Sequence, residues 1–167
     1  MPQSEMVQRV KPMWALIEEQ ADAFNLRPAL LAGLVCQESS GNPYAMRFEP
    51  KFRWFPRLPD GTPNIPVIRQ RMPGGMSLDT ELQGLKTSWG LCQVMGENLR
   101  EMGFVGWWPA ACQPDVALKY GAKFLSAKLA THGEDERKAL LAYNGGGVAE
   151  YPDKVLAWAA LFQGGKR

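Results

Sequence analysis

Six prolines, Pro50, Pro56, Pro59, Pro63, Pro66 and Pro73, crowd into residues 45–75. Each fixes φ and lacks a backbone N–H, so no long helix can run through this stretch. The flanking sequence is different. Met6, Val10, Met13, Trp14, Ile17, Ala21 and Phe24 recur at spacings of three and four, which predicts one amphipathic helix ending near Asn25. Pro28 suits the first turn of the next helix, where Leu30, Leu34 and Glu38 share a face until Gly41 and Pro43 stop it. Ser77 caps a helix reaching Leu85, with Asp79 and Glu81 in the first turn, where negative charge is favoured. Gly103, Gly106 and Pro109 mark residues 102–108 as a turn region. Pro114 opens a long helix with Val116, Tyr120 and Phe124 on its core face, and Gly133 ends it. Asp135 and Glu136 start another that reaches Tyr143, and Val155, Trp158, Ala159 and Phe162 form a last helical stripe. These signals predict a mainly α fold, one domain over residues 1–167, with residues 45–75 inserted as irregular loops or a small β-hairpin.

Composition narrows the classes of function. The net charge is only +2 and no Lys/Arg run occurs, which argues against a nucleic-acid partner. No segment is apolar for long enough to insert in a membrane. Residues Met1 to Glu5 lack the basic and apolar regions of a secretory signal, so export, if needed, is expected from elsewhere. Cys36, Cys92 and Cys112 match no zinc or redox spacing and read as small buried apolar residues. With His132 as the lone histidine, a thiol amidase or peptidase has little support. No metal site and no organic cofactor motif is expected.

Three short runs pair a reactive side chain with a backbone stop: Glu38-Ser39-Ser40-Gly41-Asn42-Pro43, Trp89-Gly90-Leu91-Cys92-Gln93-Val94-Met95 and Ala142-Tyr143-Asn144-Gly145-Gly146. Glu38 and Gln93 are each read in an apolar helical stretch, and Tyr143 and Asn144 end a third. Glu38 falls at a helix C-terminus below an apolar stripe. Partial burial and the negative end of the dipole both disfavour its carboxylate, so a raised pKa is expected, as a general acid requires.

In this order and spacing, the runs resemble the lytic transglycosylases, goose-lysozyme-like enzymes that cut peptidoglycan glycan strands, over about residues 26–160. The resemblance implies a lysozyme-like fold, with Glu38 as the catalytic acid and Ser39, Ser88, Gly90, Gln93, Tyr143, Asn144 and Tyr151 as substrate-binding residues. Gln93 would touch a sugar while Gly90 lets the backbone approach closely. Tyr143 would orient the acid and Asn144 support the cleft; Tyr151 and Lys154 also match a family position. Cys92 stands where such enzymes more often carry methionine or phenylalanine, a packing variation. The expected partner is the peptidoglycan strand, acted on by a monomer outside the cytoplasmic membrane. A phage lysin, a virion-borne enzyme or a chain trimmed of its signal would each fit.

The resemblance also implies a reaction with one carboxylate, in place of the pair most glycosidases use. The rival is a muramidase that activates water with a second acid, for which Glu49 and Asp79 are the candidates. A non-catalytic wall-binding protein of the same fold is the third reading. Residues 45–75 also carry Arg47, Lys51, Arg53, Arg57, Arg69 and Arg71, interleaved with Phe48, Phe52, Trp54 and Phe55. They suit either a flap over sugar rings and peptide carboxylates or a solvated loop pinned by its aromatics.

Overall fold

The expected N-terminal helix is two helices. In the computed structural model, which describes residues 2–162, α1 spans Gln3–Val10, a 3₁₀ turn Lys11–Met13, and α2 Trp14–Ala23. Pro12 breaks the α pattern because it has no N–H to offer the preceding turn. Asn25, at φ 54°, then closes the segment where the sequence placed its end.

Helix α3, Pro28–Ser39, is the centre of the molecule. Its residues from Ala29 through Cys36 are all buried, so it is apolar all round and surrounded, not amphipathic. Ser40 and Gly41 follow in left-handed conformation, at φ 54° and 71°, and end the helix at Ser39, one residue past Glu38.

The insertion holds a strand and a short helix, and its strand pairs outside it. Strand β1, Met46–Phe48, joins β2, Thr87–Trp89, which pairs antiparallel with β3, Val94–Met95. The register sets Arg47 opposite Ser88 and Ser88 opposite Met95, so these three form one row across a sheet face. Helix α4, Ile65–Arg71, begins at Asn64, whose side chain accepts from the Val67 N–H, and takes Pro66 in its first turn. An isolated bridge between Arg57 and Pro63 is the small hairpin element expected there.

Helices α5, Leu78–Leu85, and α6, Gly96–Glu101, flank the sheet. Ser77 caps α5 as predicted, accepting from the Thr80 N–H at 3.1 Å. Glu81, which its first-turn position had suggested was merely favoured by the dipole, is fully buried. Both its oxygens accept from Arg100 at 2.8 and 2.9 Å, and Arg100 also donates to the carbonyls of Phe104 and Gly106 while lying 4.1 Å over the Trp108 ring. One guanidinium therefore ties α5, α6 and the 102–107 turn together.

Helix α7, Pro114–Thr131, buries Ala117, Leu118, Gly121, Ala122, Leu125 and Leu129. The expected core stripe of Val116, Tyr120 and Phe124 lies beside this face, partly buried, with Phe124 edge-on to Tyr143. Helix α8, Glu136–Tyr143, has Asp135 as its cap, and α9 spans Tyr151–Ala160. A Cβ on Gly33 would meet the Val155 carbonyl at 2.5 Å and the Ala159 nitrogen at 2.8 Å, so α3 and α9 touch backbone to backbone. This contact sets Gly33 against the C-terminal half of α9 and Glu38 against its N-terminus.

Candidate active site

That antiparallel contact of α3 and α9 assembles the site. Tyr151 begins α9 and is 3% exposed, and its O–H donates to Oε1 of Glu38 in the last turn of α3. Tyr143 was the phenol expected on the acid; its hydroxyl instead donates 2.8 Å to the Cys92 carbonyl. Both phenols stay protonated, because burial and then nearby negative charge push each of them up. Tyr143 thus fixes the β2–β3 turn, and Tyr151 holds the acid.

Burial raises the Glu38 carboxyl above its ordinary value, opposed by the Tyr151 hydrogen bond and the charge of Arg47. The net direction is the one predicted, with desolvation as its main cause. Tyr151 engages Oε1, and among the described residues no hydrogen bond is made to Oε2.

Glu38 opens on a cleft of about 680 Å³, lined by Gln37, Arg47, Glu49, Lys51, Phe52, Ser88, Gln93, Met95, Tyr143, Asn144, Val148, Tyr151 and Lys154. The insertion contributes Arg47, Glu49, Lys51 and Phe52. Trp54, proposed for a flap, is 82% exposed and absent from this lining. Arg47 and Glu49 pair at 2.5 Å, where the cation lies beside a buried carboxylate oxygen as an ion pair and not as an aligned hydrogen bond.

Gln93 lies in the tight β2–β3 turn, not in a helix, at φ 48°. Left-handed backbone costs a side-chain-bearing residue about 1 kcal/mol, and the Gln93 amide offsets it with three hydrogen bonds. Nε2 donates at 2.9 Å to both the Ala45 and Gly90 carbonyls, and Oε1 accepts from Ser88 at 2.9 Å. The side chain on the cleft wall therefore also fastens the start of β1 to the hairpin. Gly90, at φ 67°, faces protein: a Cβ there would meet the Ala111 carbonyl at 2.7 Å. The close approach expected of Gly90 is thus to the segment before α7, and it does not line the cleft.

Two other predicted residues also lie off the cleft wall. The Ser39 hydroxyl donates back to the Val35 carbonyl at 3.1 Å, and Asp79 is exposed in the first turn of α5. Gln37, Met95 and Val148 line the cleft without having been singled out from sequence. Gln37 precedes the acid in α3, and Met95 was discoverable only from the sheet register.

The thiols offer no second nucleophile. Burial pushes Cys36 up to about 12, and also raises Cys92 and Cys112. A Cβ on Gly121 would lie 2.3 Å from the Cys92 sulfur, so Cys92 packs tightly from the β2–β3 turn against α7, where a methionine or phenylalanine would be crowded.

No curated protein and no solved structure matches the chain. The family model described as transglycosylase SLT domain matches residues 15–151, from α2 through Tyr151. A half-buried acid at the end of a central helix, held by a phenol over a polar cleft, lies within that match, and the chain belongs to the transglycosylase SLT domain family of peptidoglycan-degrading lytic transglycosylases.

Proposed function

We propose that this protein cuts the β-1,4 bond between N-acetylmuramic acid and N-acetylglucosamine with Glu38 as its only catalytic carboxyl, leaving 1,6-anhydromuramic ends. The observation that carries the reading is the hydrogen bond from Tyr151 to a half-buried Glu38 at the cleft wall. Burial favours the neutral acid, and the phenol orients it.

The protonated Oε2 gives its proton to the glycosidic oxygen as the bond from that oxygen to muramic acid C1 breaks. Glu38, now a carboxylate, takes the proton of the muramic acid C6 hydroxyl. O6 then bonds to C1, so the acid returns to its starting form and no water is consumed. Ser88, Gln93, Tyr143 and Asn144 belong to the walls that would hold the sugars. We place the reaction on peptidoglycan outside the cytoplasmic membrane, with no cofactor.

A hydrolytic reading has one specific support: Glu49 lines the same cleft and could act as a base for water. Its contact with Arg47 already engages that carboxylate in an ion pair. Asp79, away from the lining, has no part in either reaction. Purified peptidoglycan should be digested by the parent protein and by Glu38→Gln, and the soluble muropeptides weighed. Products lighter by one water than reducing-end muropeptides, absent with the variant, are expected. Reducing ends would point to Glu49, and equal lysis by the variant would remove Glu38 from the chemistry.

A further inference from the structure

We infer that Lys51 and Lys154 form a carboxylate-binding subsite that makes the cleft select peptidoglycan strands by the acidic groups attached to their muramic acid residues. The inference rests on the glycan-cleaving reading above and adds the feature of the strand that is recognised.

Five charged side chains line the cleft: Glu38, Arg47, Glu49, Lys51 and Lys154. Arg47 and Glu49 neutralise one another at 2.5 Å. Glu38 is uncharged in the form that donates a proton. Among the described residues neither lysine has an ion-pair partner, and both are exposed. The working cleft therefore presents two uncompensated ammonium groups from two elements, one in the insertion and one on α9.

Both reach the cleft on which Glu38 opens. Lys154 follows Tyr151 by one helical turn, so it shares a face with the residue that holds Glu38. Lys51 reaches the cleft from the turn that follows β1, after Arg47 and Glu49. Sugar rings are neutral, so two free cations find no charge to pair with on them. Stem peptides carry several carboxylates, and a muramic acid stripped of its peptide keeps one on its lactyl group. Low-dielectric walls concentrate the attraction for either.

The experiment measures initial rates on three peptidoglycan preparations: untreated, amidated with carbodiimide and ammonia, and stripped of peptides by an amidase. The parent is compared with the double variant Lys51→Ala, Lys154→Ala and with Lys154→Glu, all at low ionic strength, where exposed charges act most strongly. Two exposed charge pairs predict a loss of roughly three- to tenfold for the double variant on untreated strands. Amidation should slow the parent by a similar factor and leave the double variant unchanged, and Lys154→Glu should prefer amidated strands. Stripped strands cut as fast as untreated ones would show that the lactyl carboxylate freed by stripping can take the place of the stem-peptide carboxylates, and slow cutting would show that the subsite needs the stem peptide. A parent indifferent to amidation, or a double variant slowed equally on both, would overturn the subsite. A parent that cuts none of the three would instead overturn the proposed reaction.

Discussion

The two halves of the cleft are built by opposite means. Glu38 and Tyr151 stand on α3 and α9, helices whose backbones touch at Gly33 and whose facing residues are wholly buried. Arg47, Glu49 and Lys51 stand on an insertion whose strand residues are all exposed and which is fastened to the body by the sheet and by Gln93. The contrast separates the needs of chemistry from those of recognition. A general acid must be desolvated and held in one place, which a packed core does. Charges that meet a substrate must remain in water, where each is worth little alone.

Breaking the rigid half should have the largest effect. In Gly33→Ala the new methyl group would meet backbone at 2.5 Å, and overpacking of this kind costs about 1–3 kcal/mol. Denaturant unfolding should report that loss. Lysis should fall further than stability alone explains, because α9 carries Tyr151 away from Glu38. Full activity in a destabilised Gly33→Ala would separate the helix contact from the chemistry.

The fastening of the other half is tested by Gln93→Glu. A carboxylate can still accept from Ser88 but cannot donate to Ala45 and Gly90, so two acceptors lose their partner at about 1 kcal/mol each. Weaker substrate binding is expected, read as a raised KM, with smaller change in kcat. If Gln93 acts only by touching sugar, stability would be unchanged.

The acid itself supplies a pH test. The folded-state pKa of Glu38 is raised, so its neutral form contributes stability that is complete below the unfolded value and lost as pH rises through the folded one. Glu38→Gln imitates the neutral form at every pH. The variant should therefore gain stability over the parent as pH increases across that interval, in urea unfolding at a series of pH values. A constant difference would mean that Glu38 titrates as an exposed carboxyl.

The smallest expected effect sharpens the link between the halves. Arg47 lowers the Glu38 pKa, so Arg47→Ala should shift the alkaline limb of the pH–rate profile upward, by less than a unit for an exposed charge. A downward shift would place Arg47 in another role.

Local signals foretold the helices well, because their causes are local. Pro28, Ser77, Pro114 and Asp135 mark starts through caps and missing N–H groups, and Glu38 fell at a helix end because Gly41 and Pro43 stop the helix just beyond it. Gln93 was misplaced in a helix, since a short apolar run such as Leu91 to Met95 looks alike in either state. The tyrosines exchanged roles for a different cause. Which phenol meets Glu38 depends on how α9 lies on α3, and Tyr151 is 113 residues from its partner. Glu81 resembled a solvent-facing first-turn acid until Arg100, 19 residues on, was found against it.

The central claim, one acid and no water, is tested most directly by running the digestion in heavy-oxygen water and weighing the muramic acid ends at once. The account predicts anhydro ends with no heavy oxygen incorporated, whatever the extent of digestion. Reducing ends carrying one heavy oxygen for every bond cut would contradict it, and would make the protein a hydrolase that draws on Glu49 for its base.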